Sequence, residues 1–321
     1  MTKTFLNILF LCFTVFGFSK TLKVGISFDD TLATRWKTEQ KLLQQLFEEK
    51  GITPIIKICG GNPKTQLQQA YHLIDVDSVN VLIVIANNGP EMSPVINYAH
   101  KLDITTIAYD RLIPNCYLDY YITFDNVKVG EMMAQGMLSQ QPTGNYMIIS
   151  GPKKDNNSLL IHEGQMKVLQ SSIDKGDIHL IEDSHVNEWL DMAAFHKVVD
   201  FYQSNEDIKL DAILVANDNM LGGVLDALEM IDINGVLLGG NDAELTALER
   251  IKNGTQALTI KKLTNNLSIV CVELTVSEKR DEHPSIKGAK KTNTNNGQME
   301  VKSYVLNPTL IDQSNVSNYL K

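Results

Sequence analysis

Short runs of β-branched and apolar residues alternate with longer amphipathic stretches along most of the chain, the pattern of βα units that build a parallel sheet. Residues 22–28 read as a strand followed by a helix at 36–50; 53–58 precedes 64–73, 79–86 precedes 94–102, and the strand at 105–109 ends in a turn. After a helix at 127–139 the rhythm resumes, with strands at 145–150 and 178–182 and helices at 159–173 and 192–203. Segments 211–216, 222–230, 236–240, 243–253 and 257–260 carry it on. The pattern predicts an α/β chain of two doubly wound units rather than one.

The residues immediately after the strands are polar and of a particular kind. Phe28 leads into Asp29-Asp30, Ala86 into Asn87-Asn88, Tyr109 into Asp110-Arg111, and Ser150 into a loop carrying Asp155-Asn156-Asn157. Ala216 leads into Asn217-Asp218, Gly240 into Asn241-Asp242, and Ile260 into Lys261-Lys262. In open parallel sheets the ligand crevice lies beyond the carboxyl ends of the strands. A single Asn or Asp there also serves as a helix N-cap or turn residue. The set as a whole contains cations that no cap needs, and planar side chains that make two hydrogen bonds at once. A small, uncharged ligand rich in hydroxyl groups requires that mixture of donors and acceptors. The two tryptophans of the chain, Trp36 and Trp189, lie near strand exits, one in each half. Each is a candidate for core packing, or for stacking on the C–H face of a sugar ring.

Composition narrows the class. With roughly 150 residues per domain, the 321 residues make about two domains, and 43% hydrophobic content excludes a disordered or fibrous chain. The 29 Lys+Arg against 38 Asp+Glu leave a net charge of −9, which opposes broad contact with nucleic acid or anionic lipid. Lys3, the apolar stretch 5–18, and Gly17 and Ser19 before Lys20 read as a secretory signal peptide at 1–19. The stretch is shorter than a membrane span of about 18 to 20 residues, and Cys12 follows Leu11 where a lipoprotein anchor needs a small residue. The remaining Cys59, Cys116 and Cys271 are odd in number and widely spaced, so they read as small packed hydrophobes rather than disulfides or metal ligands.

Catalytic patterns fail one by one. The turn after the first strand is Gly25-Ile-Ser-Phe-Asp-Asp, not the glycine fingerprint of a dinucleotide enzyme. Walker, G-x-S-x-G and H-E-x-x-H motifs are absent, and the seven His are scattered. Asp29 and Asp30 are adjacent in an extended segment, point to opposite sides and make no acid/base couple. No enzyme, cofactor or metal is expected.

Several stretches match a known family in order: Val24-Gly25, Asp29-Asp30, Arg35-Trp36, Ala108-Tyr109-Asp110-Arg111, the segment 121–131, Gly144-Asn145-Tyr146, Asp155-Asn156-Asn157, the segment 164–169, Glu188-Trp189-Leu190, Ala216-Asn217-Asp218, Gly240-Asn241-Asp242-Ala243 and Gly254-Thr255-Gln256. On these residues the chain resembles the periplasmic sugar-binding proteins of type I fold, and most closely the D-xylose-binding proteins that feed ABC transporters. The resemblance implies two lobes joined by a three-crossover hinge and closing on a sugar, with the N-terminal lobe at 20–123 and 260–293 and the C-terminal lobe at 124–259 and 294–321. It implies sugar contacts from Arg35, Trp36, Asp110, Arg111, Asp155, Asn157, Trp189, Asn217, Asp242 and Lys262, with the tryptophans holding the pyranose between them. It also implies a periplasmic monomer whose partners are a monosaccharide, D-xylose foremost, and the permease of an ABC transporter. A membrane sensor kinase is the alternative partner, and another aldose such as ribose the alternative ligand. A repressor of the same fold would need a basic helix-turn-helix where this chain has its signal peptide.

The chain departs from the family pattern at Leu263, where Pro is usual, at Lys261, where an aromatic is usual, and in the loop 31–34. Lys261 is expected to face solvent. The polar segment 277–298 is expected to be an exposed loop.

Overall fold

The computed structural model describes residues 22–29, 34–277 and 282–320. The signal peptide expected at 1–19, Asp30 and most of the loop at 31–34 lie outside the described residues. The chain begins β1 (Val24–Phe28), α1 (Thr34–Glu49), β2 (Ile55–Ile58), α2 (Pro63–Asp75), β3 (Val81–Val84), α3 (Gly89–Lys101), β4 (Thr105–Tyr109) and β5 (Tyr120–Phe124). It continues α4 (Asn126–Gln140), β6 (Gly144–Ser150), α5 (Asn156–Asp174), β7 (Ile178–His185), α6 (Asp191–Ser204), β8 (Ala212–Val215), α7 (Asp218–Met230), β9 (Leu237–Gly239), α8 (Leu245–Asn253) and β10 (Leu258–Lys261). It ends with α9 (Thr264–Val276), β11 (Lys290–Asn295), β12 (Glu300–Leu306) and β13 (Thr309–Asp312).

Two sheets result. The first has the order β11-β12-β5-β4-β3-β1-β2, and the second β13-β10-β9-β8-β6-β7. Both are parallel except at one edge, where β11 runs against β12 and β13 against β10. β1 pairs with β2 on one side and β3 on the other, so strand order reverses between β1 and β3; the second sheet reverses between β6 and β8. Open α/β sheets bind ligands at such switch points.

The fully apolar strands explain why each sheet is covered on both faces. In the first lobe Phe28, Leu43, Phe47, Tyr109 and Cys271 fill the side under α1 and α9, and Ala70, Met92, Val95 and Cys116 fill the side under α2 and α3. In the second, Val198, Val215 and Val224 pack one face and Met133, Tyr146, Ile161 and Leu258 the other. α4 and α5 cross closely because both are glycine at the contact: a Cβ at Gly130 would stand 1.9 Å from the Ile161 carbonyl oxygen. That crossing sets the start of α5, where Asp155 and Asn157 lie.

The chain passes between the sheets three times: from β5 into α4, from β10 into α9, and from β12 into β13. The last passage differs from expectation. β12 pairs with β5 in the first sheet, so residues up to Leu306 belong with it, whereas the expected boundary places 294 onward in the second lobe. The segment 277–298 is likewise not all loop, since Lys290–Asn295 is a strand with an alternating exposed face that hides its edge character from hydrophobic patterning. Lys261 does not simply face solvent; its Nζ lies 4.6 Å from the Tyr319 ring centre. No helix among the described residues is long and apolar enough to cross a membrane.

Candidate functional site between the two sheets

At the first switch point, the residues leaving β1 and β3 meet: Asn87 Nδ2 donates to Asp29 Oδ1 at 2.8 Å. The other oxygen of Asp29 accepts from Arg111 Nη1 at 2.8 Å, and the same nitrogen donates to the Ala86 carbonyl at 2.9 Å. Arg111 is thus fastened to its own lobe and reaches to the other, where its Nε is 3.1 Å from Asp155 Oδ2. Its neighbouring carboxylates raise its pKa further against the lowering effect of burial.

Asp155 stands at the second switch point, after β6, and caps α5 by accepting from the Asn157 backbone N–H. Its Oδ2 also accepts from Trp189 Nε1 at 3.1 Å. The Trp189 ring lies on Gly151, where a Cβ would be 2.3 Å from the ring; only glycine leaves that room.

Asp110 takes a left-handed backbone conformation, φ 66°, which Asp tolerates better than a bulky residue. The turn is pinned on both sides: its N–H donates to Ile122, and its carbonyl accepts from Thr123 Oγ1, Tyr121 OH and Asn157 Nδ2. The last of these is a second bridge between the lobes. The Asp110 carboxyl lies 3.1 Å from Arg35 Nη2. Burial pushes this carboxyl up, but Arg35, Lys262 and Arg111 outweigh it and hold it below the ordinary range.

Arg35 and Trp36 open α1. The Arg35 guanidinium lies over the Trp36 ring at 4.3 Å and that of Arg111 at 5.4 Å, so the indole face is already flanked by cations. Trp36 is only 7% exposed and belongs to the first lobe's core, while Trp189 is half-buried. On the remaining side Lys262, buried within the second crossover, pairs with Asp242 at 2.7 Å.

The structure therefore joins Arg35, Trp36, Asp110, Arg111, Asp155, Asn157 and Trp189 in one interlobe network, with Asp242 and Lys262 as a pair that acts on Arg35 and Asp110 through charge. Asn217 differs: its side-chain oxygen caps α7 by accepting from Met220 N–H at 2.9 Å. Asn88 and Asp125 are caps too.

Sequence reasoning passes over three members. Asp29 stands out at a strand exit but not as Arg111's anchor, Asn126 follows a strand that the apolar pattern does not mark, and Glu39 carries its signal only in its i,i+4 spacing from Arg35. Asn126 Nδ2 donates to Asn157 Oδ1 at 2.9 Å. The side-chain oxygens of Asn87, Asn126 and Asn241, all just past strand ends, are buried without a hydrogen-bond donor. A buried unpaired acceptor costs about 1–3 kcal/mol, which a hydroxyl donor would recover.

Two α/β sheets with their switch points turned toward one another, bridged by charged side chains and joined by three crossovers, form a two-lobed solute trap. Residues 24–281 match the family model described as a periplasmic binding protein domain, and the chain belongs to that family. The family binds solutes and is not catalytic. Among its relatives, the D-xylose-binding periplasmic protein of Haemophilus influenzae is 35% identical over 304 residues, 93% of this chain and 89% of that protein. The protein of the same description from Escherichia coli is 33% identical over 301 residues, 94% of this chain and 89% of that one. A solved ABC transporter solute-binding protein from Clostridium phytofermentans, with bound β-D-glucose, superposes with a TM-score of 0.84 at 25% identity, covering 93% of this chain and 96% of that chain.

Proposed function

We propose that the protein is exported to the periplasm, captures a neutral monosaccharide, D-xylose, between its lobes, and delivers it to the permease of an ABC transporter. Arg35, Trp36, Asp110, Arg111, Asp155, Asn157, Trp189, Asn217, Asp242 and Lys262 hold the sugar, and the receptor acts as a monomer. The observation that carries this reading is that every cation of the cleft already has a carboxylate: Arg35 has Asp110, Arg111 has Asp29 and Asp155, and Lys262 has Asp242. Such a site has no unspent positive charge to offer an acid or a phosphate. It does offer directed donors and acceptors, which suit hydroxyl groups. That two relatives at 33–35% identity are D-xylose-binding periplasmic proteins supports xylose among the neutral sugars.

Calorimetric titration of the mature chain with xylose, ribose, arabinose, glucose, galactose and fructose tests it. Xylose binds most tightly if the reading holds. Firm binding of another sugar without measurable xylose binding overturns the specificity, and no sugar binding at all overturns the class.

A further inference from the structure

Arg35 is held from behind as well as in front. Glu39 lies one helical turn after it, with Oε1 2.6 Å from Arg35 Nε, and is 0% exposed. The other Glu39 oxygen accepts a hydrogen bond from the Tyr109 hydroxyl, which is itself 2.9 Å from Ser268 Oγ on α9. These groups sit beside the core of Leu43, Phe47, Tyr109 and Leu267. An isolated carboxylate there would be expensive, and even a paired one recovers its desolvation only with good geometry and further hydrogen bonds. Burial accordingly raises the Glu39 pKa, with Arg35 pulling the other way.

Helix stabilisation does not account for this pair. The favourable i,i+4 order places the acid before the base, and an exposed pair of this kind contributes only about 0.2–0.5 kcal/mol. What the arrangement does instead is directional. With Nε engaged by Glu39, the guanidinium plane is fixed and Nη2 is turned to Asp110, where neither that nitrogen nor Asp110 Oδ1 has an aligned hydrogen bond.

We propose that Glu39 is a positioning residue of the sugar site: Glu39 and Tyr109 clamp Arg35 so that its Nη2 is presented at Asp110, and Ser268 ties the clamp to the helix that leaves the second crossover. The proposal deepens the sugar-binding reading and rests on it. It makes the orientation of one cleft guanidinium depend on a hydroxyl carried by a hinge-proximal helix.

A double-mutant cycle in sugar affinity tests it, with wild type titrated first. Glu39→Gln keeps the shape and loses the charge; it should weaken binding about tenfold, a coupling in the range seen for contacting residues. In an Arg35→Ala background the same change should alter affinity less than about twofold. Tyr109→Phe, which removes a single hydroxyl, should show a smaller loss with the same dependence, and it carries the test if Glu39→Gln fails to fold. The Arg35 Nε–H proton resonance should be slow to exchange in wild type and fast in Glu39→Leu, which has no acceptor for it, whatever the sugar. Equal losses with and without Arg35, or an unchanged exchange rate, overturn the positioning role while leaving sugar binding intact. Absence of any sugar binding by wild type overturns both.

Discussion

Arg111 of the first lobe and Asp155 of the second meet at 3.1 Å across the cleft, with side chains only 12% and 5% exposed. Each is also held from its own side, Arg111 by Asp29 and Asp155 by Trp189. Removing one member of a desolvated charge pair costs about 2–5 kcal/mol, much of it from the partner left behind. Asp155→Asn should therefore lower sugar affinity at least about tenfold, mainly through faster release. It should also enlarge the radius of gyration of the sugar-free protein in small-angle scattering. Identical sugar-free dimensions for variant and wild type would mean that the pair does not latch the lobes.

The two tryptophans are not equivalent. Trp36 is packed in the first lobe's core beneath two guanidinium groups, so Trp36→Ala should cost about 3–5 kcal/mol of stability as well as weakening sugar binding. Trp189→Ala should leave the fold nearly as stable and weaken sugar binding by about 1–3 kcal/mol. Gly151→Ala should weaken binding in the same direction, because the added methyl displaces the Trp189 ring. Thermal melts paired with titrations check all three; wild-type binding by a folded Trp189→Ala would remove Trp189 from the site.

Asp218 gives a signature in pH. It is buried under the loop that carries Asp242 and accepts from Gln256 Nε2, Thr259 Oγ1 and the Glu244 N–H. Burial above all, with Asp242 adding to it, raises its pKa from 3.8 to about 7 against the pull of those donors. Between these values the folded state holds a proton that the unfolded chain has released. Its contribution to stability therefore falls as pH rises from about 4 to about 7, and is lowest above that. Asp218→Asn abolishes the titration, so wild type should compare more favourably with the variant at pH 5 than at pH 8 in urea unfolding. An equal difference at both pH values would mean that Asp218 is already ionised at pH 5.

Ligand charge offers a fourth test. Because the cleft cations are already paired, oxidising the sugar's C1 to a carboxylate should weaken binding at least about tenfold. The affinity for the neutral sugar should change little between low and high salt. Tighter binding of the sugar acid in the same titration would contradict the neutral-ligand reading.

The βα rhythm is legible because buried parallel strands are continuous apolar runs, and the residues after them stand out as polar. The separate task of each strand-exit residue is not legible. Asn88 and Asn217 cap helices, Asp155 caps one and also bridges the lobes, and Asp29 anchors Arg111, yet all look alike in sequence. β5 escapes the pattern because the segment that precedes it is a turn rather than a helix. β11 escapes it because an edge strand with exposed Lys and Asn lacks the apolar signal that marks an inner strand, whereas β12 is inner and largely buried but is preceded by that polar edge strand instead of a helix. Glu39 is hidden because its partner Tyr109 lies 70 residues away, and Ser268, the partner of Tyr109, a further 159.

Two bridges between the lobes, Arg111 to Asp155 and Asp110 to Asn157, are polar on both sides. When they part, each group exchanges a protein partner for water. Parting at these four residues therefore adds no apolar surface there of the kind that makes proteins stick.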